Sequence, residues 1–91
     1  MRLFATSKIS DLIITDSVFF VEVDNKHKAY ITYTEKDNHF TLDHCEVPPS
    51  LRGKGVGREV VRKTFKYLRE KDPSITIHCS YIKAMVDRMQ L

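Results

Sequence analysis

Ninety-one residues, 42% of them hydrophobic and 30% charged, suit one domain with a single core layer and do not make disorder the default reading. The net charge of +3 hides an asymmetry: eight basic residues face two acidic ones between residues 52 and 71, so that segment carries +6 and the remainder −3. Charge gathered so locally suits a phosphate-bearing ligand better than a nucleic-acid coat, and no apolar run approaches the roughly 18 residues of a membrane span.

Residues 1–10 lack the apolar core and small-residue cleavage site of a signal peptide, and the apolar run at 12–14 is too short for either role. Residues 18–23, rich in Val and Phe, read as a strand, with Asp24, Asn25 and Lys26 as the turn after it. Over 27–35 the chain alternates, with Ala29, Ile31 and Tyr33 on one face and Lys28, Tyr30, Thr32 and Thr34 on the other. Lys36, Asp37 and Asn38 make a second turn. The strand at 40–47 then places Phe40, Leu42, His44 and Glu46 on one side and Thr41, Asp43, Cys45 and Val47 opposite. Turns this short imply an antiparallel meander.

Pro48 and Pro49 end that pattern, since neither can donate to a sheet ladder. From about Gly55 the period changes from 2 to 3.6. Gly57, Val60, Val61, Thr64, Phe65 and Leu68 line one stripe of a helix over 55–71, which Asp72 and Pro73 stop. Residues 75–78 are a short β-branched strand. Ser80 is placed to cap a final helix whose Ile82, Met85, Val86 and Met89 share a face. A right-handed strand–helix–strand crossover makes 40–47 and 75–78 parallel neighbours. The expected fold class is α/β of the α+β kind: a meander, a phosphate loop, a helix, a parallel strand and a helix, as one domain over 1–91.

The loop Arg52-Gly53-Lys54-Gly55-Val56-Gly57 joins the third strand to the long helix. Three positions without Cβ let the backbone take unusual conformations and let a ligand approach the amides. The helix start supplies unpaired N–H donors and the positive end of a dipole, with Arg52 and Lys54 adding charge. A pyrophosphate fits such a site. The spacing matches neither the nucleotide P-loop nor the dinucleotide G-x-G-x-x-G pattern, because the glycines fall at 53, 55 and 57.

What it does match is Arg-x-x-Gly-x-Gly (Arg52, Gly55, Gly57), which resembles the coenzyme A pyrophosphate loop of the GNAT superfamily of N-acetyltransferases. The run from His44 through Cys45-Glu46-Val47-Pro48-Pro49-Ser50 to Leu51, and Ile77-His78-Cys79-Ser80-Tyr81, narrow the resemblance to the short single-domain GNAT-like family with a cysteine at the end of the last strand. The likeness spans roughly residues 18–89. It implies acetyl-CoA as cofactor, its thioester in a splay between strands 40–47 and 75–78. The pyrophosphate would rest on the amides of residues 53–58, so Arg52, Gly53, Lys54, Gly55, Val56, Gly57 and Arg58 form the cofactor-binding set. Arg58, Lys63 or Lys83 would meet the outer phosphate. Position 45 departs from the family, where a hydroxyl residue such as Thr is expected.

Cys79 would sit beside the thioester, as an acyl acceptor or near the leaving thiol, its nucleophilicity depending on nearby charge from His44 or His78. His44 and Glu46 are candidate bases for an acceptor amine, each weighed against a role in surface or packing. Tyr81 reads as a core aromatic at a helix start in preference to a proton donor. The pairs His44-Cys45 and His78-Cys79 do not suggest a metal site, because adjacent strand residues point to opposite faces. Two cysteines are too few for a disulfide scaffold, so the cytoplasm is the expected location. The expectation is an N-acetyltransferase acting on a protein lysine or small amine, through direct transfer or an acyl-Cys79. The rival is a non-catalytic acetyl-CoA sensing module.

Overall fold

The computed structural model describes residues 8–91. The expectations for residues 1–7 lie outside that range. Asp24 and Asn25 (φ 55° and 58°) and Asp37 and Asn38 (φ 53° and 62°) adopt the left-handed conformation. Asp and Asn tolerate it better than other side-chain-bearing residues, and tight hairpin turns whose twist matches their strands need it, here over three residues (24–26) and two (37–38). These turns join β2 (Val18–Val23) to β3 (His27–Lys36) and β3 to β4 (His39–Glu46), all antiparallel. Each strand lies within a residue of its expected bounds. A two-residue strand not anticipated from sequence, β1 (Ile13–Ile14), pairs with Phe20 and Phe19 of β2. Its run is too short to show a period.

A 3-10 turn (Pro49–Leu51) leads to α1 (Val56–Lys71), then to β5 (Ser74–Ile77) and α2 (Ser80–Met89), giving a sheet in the order β1-β2-β3-β4-β5. Phe19, Val21, Ala29, Ile31, Phe40 and Leu42 bury one sheet face against Val60, Val61, Phe65 and Leu68 of α1 and Ile82 of α2. Phe19 stacks on Tyr33 with ring centroids 4.1 Å apart. Both helices lie on this face. The opposite face presents Phe20, Lys28, Tyr30, Thr32, His44 and Glu46, and no helix among the described residues covers it. None of those helices is long and apolar enough to cross a membrane.

The sheet departs from strict alternation at one place that matters. Tyr33 pairs with Leu42, but Thr32 pairs with His44, leaving Asp43 as an extra residue in a β-bulge. A bulge shifts the side-chain parity of everything beyond it. Phe40 and Leu42 therefore share the helix side with Cys45 and Val47, whereas His44 and Glu46 point to the open face. Strict alternation had put His44 and Glu46 with Phe40 and Leu42, and the bulge corrects this.

The bulge also ends the parallel ladder. β4 and β5 pair only from His39↔Ser74 to Leu42↔Ile77, and the His78 N–H donates to the Leu42 carbonyl at 2.9 Å as the last rung. The expected pairing of 40–47 with 75–78 is thus realised over its first half. Beyond Leu42 the two strands no longer hydrogen-bond.

Candidate functional site

Where β4 leaves β5, the start of α1 opens onto a cleft of about 610 Å³. Gly53 and Gly55 have φ of 78° and 80°, which L side chains rarely adopt, and a Cβ at either would meet nothing within 4 Å. Gly55 is the N-cap of α1, and no side chain caps that helix. The first intrahelical bond runs from the Glu59 N–H to the Gly55 carbonyl at 3.1 Å. The N–H groups of Val56, Gly57 and Arg58 therefore have no acceptor within the helix.

Gly57 has a different task. A Cβ there would collide with the Tyr81 hydroxyl and come within 3.2 Å of Val47 Cγ2. Its absence lets the Tyr81 ring lie across the helix start. Tyr81 is 41% exposed and lines the cleft with Met85, so it is not the core aromatic expected from its place at a helix start. Burial, and then the neighbouring Cys45, push its phenol above the usual tyrosine range, so the hydroxyl stays a proton donor. Tyr81 and Met85 stand four residues apart on one helix face, a spacing that could have paired them from sequence.

The loop brings some expected residues together and separates others. Arg52, Gly53, Gly55, Val56, Gly57 and Arg58 line the cleft with Cys45, Glu46 and Val47, whereas Lys54 does not. Of the three cations considered for an outer phosphate, Arg58 faces the cleft. Lys63 lies in a second groove on α1, where its Nζ donates to the Ser10 carbonyl at 3.2 Å, and Lys83 lines neither. Arg62 donates to Glu59 at 2.7 and 3.2 Å, and this hydrogen bonding holds the Glu59 carboxyl below the usual range.

Arg52 folds back onto β4. Its Nε donates to the Val47 carbonyl at 3.1 Å, and its Nη2 lies 3.5 Å from Glu46 Oε2. The other oxygen, Glu46 Oε1, is 3.0 Å from His44 Nε2. His78 pairs with the bulge residue, its Nδ1 being 3.2 Å from Asp43 Oδ1. Two imidazole–carboxylate pairs therefore flank the point where the strands part.

Cys79 follows β5 and is itself the N-cap of α2, with Ser80 as the first helical residue and no side-chain cap. The expected Ser80 cap is thus displaced by one position, because the strand ends at Ile77 and the chain turns at once into the helix. Among the described residues neither His44 nor His78 hydrogen-bonds Cys79.

Cys45, on the helix side of β4, is half-buried, and burial, with the proximity of Cys79 and Glu46 adding to it, pushes its thiol up to about 12. Folding raises this pKa above its unfolded value, so the thiol's contribution to stability is complete below about pH 8.5 and is lost as pH rises toward 12. At pH 8, iodoacetamide is expected to label Cys45 of the folded protein at least about a hundredfold more slowly than the unfolded chain, because the thiolate is the nucleophile. Comparable rates, read by mass spectrometry of the labelled peptide, would contradict the burial assigned to it.

A family model described as GCN5-related N-acetyl-transferase matches residues 18–90, a span containing every strand from β2 onward, the glycine loop and both helices. No curated protein matches the chain. Members of that family generally use acetyl-CoA and catalyse acyl transfer. With a meander, a glycine loop opening a helix, and a parallel strand that parts from its neighbour at a bulge, the chain belongs to the GCN5-related N-acetyltransferase family.

Proposed function

We propose that this protein is an acetyl-CoA-dependent N-acetyltransferase with an amine acceptor. The observation that carries this reading is the uncapped start of α1, whose free amide groups open onto the cleft beside Arg52 and Arg58. Amides at the positive end of a helix dipole, approached over residues lacking Cβ, suit a pyrophosphate. Arg58 is the cation best situated for an outer phosphate. The apolar wall of Val47, Leu51, Val56 and Met85 suits the less polar arm of the ligand.

Acetyl-CoA supplies an acyl group activated as a thioester. The protein's own contribution is divided between the two sheet faces. On the open face, His44 or Glu46 takes the proton of an arriving amine. On the helix face, the protonated Tyr81 hydroxyl is the group available to a departing thiolate. In the two-step version, Cys79 accepts the acyl group first and hands it to the amine. A second reading, a coenzyme A sensing module without turnover, draws support from Cys79, to which no histidine hydrogen-bonds among the described residues.

Thermal unfolding with acetyl-CoA, coenzyme A and ATP tests the cofactor. Ligand at 100 times its Kd adds about 2.7 kcal/mol, and each kcal/mol moves Tm of so small a domain by roughly 4–8 °C. Both coenzyme A ligands are expected to raise Tm and ATP to do little. No shift at millimolar ligand would end the reading. Mass spectrometry after acetyl-CoA alone then separates the mechanisms: an acetyl adduct lost in Cys79→Ala supports the two-step route, and unchanged turnover of an amine in that variant excludes it.

A further inference from the structure

We propose that Glu46 is a shared latch, held by Arg52 while the phosphate loop is empty and released to His44 when coenzyme A draws Arg52 away. The inference rests on the cofactor reading above and goes beyond it, because it couples the helix-side cleft to the open face of the sheet.

The geometry is a chain of three side chains. Glu46 lies at the end of β4, its two carboxylate oxygens turned to different partners: Oε1 toward His44 at 3.0 Å and Oε2 toward Arg52 at 3.5 Å. The contact to Arg52 is longer than a hydrogen bond, so it is a charge contact that a better anion can displace. Arg52 Nε is already spent on the Val47 carbonyl, which tethers the guanidinium beside the cleft mouth. A phosphate offers that guanidinium the paired, charge-assisted bonds that Glu46 does not give it here.

Release of Glu46 has a consequence on the other face. A carboxylate that accepts from His44 Nε2–H holds the ring in one tautomer and leaves Nδ1 bare as an acceptor. While Arg52 shares the carboxylate, that hold is weaker. Cross-strand from this pair stand Tyr30, opposite Glu46, and Thr32, opposite His44. Neither is a charged group that could substitute for Arg52. Of the two candidate bases the latch thus selects His44, with Glu46 as its positioning residue, and the cofactor readies that base by loading first.

Reciprocity makes the latch measurable without any acceptor, since whatever Arg52 does to Glu46 must return in cofactor affinity. Calorimetry with coenzyme A on wild type, Glu46→Gln, Arg52→Ala and the double variant reads it. Glu46→Gln is expected to tighten binding about 2–5-fold, the range of an exposed ion pair, and to change it less than about 1.5-fold in the Arg52→Ala background. His44→Ala, which leaves Glu46 wholly to Arg52, is expected to weaken binding about 1.5–3-fold, and to do so only while Glu46 is present. A gain in affinity is not an effect that damaged folding produces. An equal gain in both backgrounds would mean that Glu46 merely repels phosphate and would overturn the latch, as would no gain at all. Absence of coenzyme A binding in every variant would instead bring down the cofactor reading, and the latch with it.

Discussion

Replacing Gly55 by glutamate is expected to weaken coenzyme A binding by at least about a hundredfold while leaving the chain folded. Two effects act at this one position. The first is conformational: with φ at 80°, any L residue is strained by about 1–2 kcal/mol, which lowers Tm by roughly 4–16 °C in a domain of this size. The second is the larger one for binding. The new side chain has open space around its Cβ, so no neighbouring group need move to accommodate it. It then sets a carboxylate beside the amides of Val56, Gly57 and Arg58, where the proposed anionic ligand would lie. Gly55→Ala separates the two effects, because it brings the same strain without the charge. Calorimetry on both variants, with circular dichroism to confirm folding, makes the comparison. Equal affinity in wild type and Gly55→Glu would remove the helix start from the ligand site.

Leu42→Ala is expected to produce a large loss of stability, about 3–4 kcal/mol, or some 12–30 °C in Tm. Leu42 is fully buried, faces Tyr33 across the β3–β4 pair and Ile77 across the β4–β5 pair, and is the last residue before the bulge. Its carbonyl also accepts the final rung of the parallel ladder from His78. A cavity here removes packing at the point where the two strands are still joined, so the separation beyond it loses its anchor. Thr41→Ala, one residue away on the open face, is the control and should cost less than about 1 kcal/mol. Denaturant melts of the two variants that coincide would show that this position is not the pivot described.

The hairpins and α1 were legible in the sequence because their signals are local. Asp24-Asn25 and Asp37-Asn38 are turn formers in themselves, and the stripe from Val60 to Leu68 has the period of a helix regardless of what it packs on. The backbone of the glycine loop was equally readable, since residues without Cβ just before a helix are free to take the positive φ seen at Gly53 and Gly55. Asp43 was not legible. A bulge arises from how β4 must fit two neighbours at once, and nothing in the residues 40–47 taken alone marks which of them will be extra. Everything downstream followed from that: the faces assigned to His44, Cys45 and Glu46, and the length of the parallel ladder. Tyr81 escaped for a related reason. Its exposure depends on Gly57, 24 residues earlier, having no side chain to push it aside. The role of Arg52 was half visible, its charge being plain from sequence and its partner Glu46 only from the fold.

The order of the sheet follows the order of the chain, and the consequence is kinetic. Each antiparallel pairing joins segments separated by a tight turn, so β1 to β4 can zip by local steps with little loop-closure entropy. Only the β4–β5 pairing requires a long stretch of chain, all of α1 included, to close first. The cleft at the start of α1 and the parting strands both belong to that one non-local closure. That cleft is therefore expected to form after the meander, and coenzyme A added during refolding is expected to leave the meander's own rate unchanged.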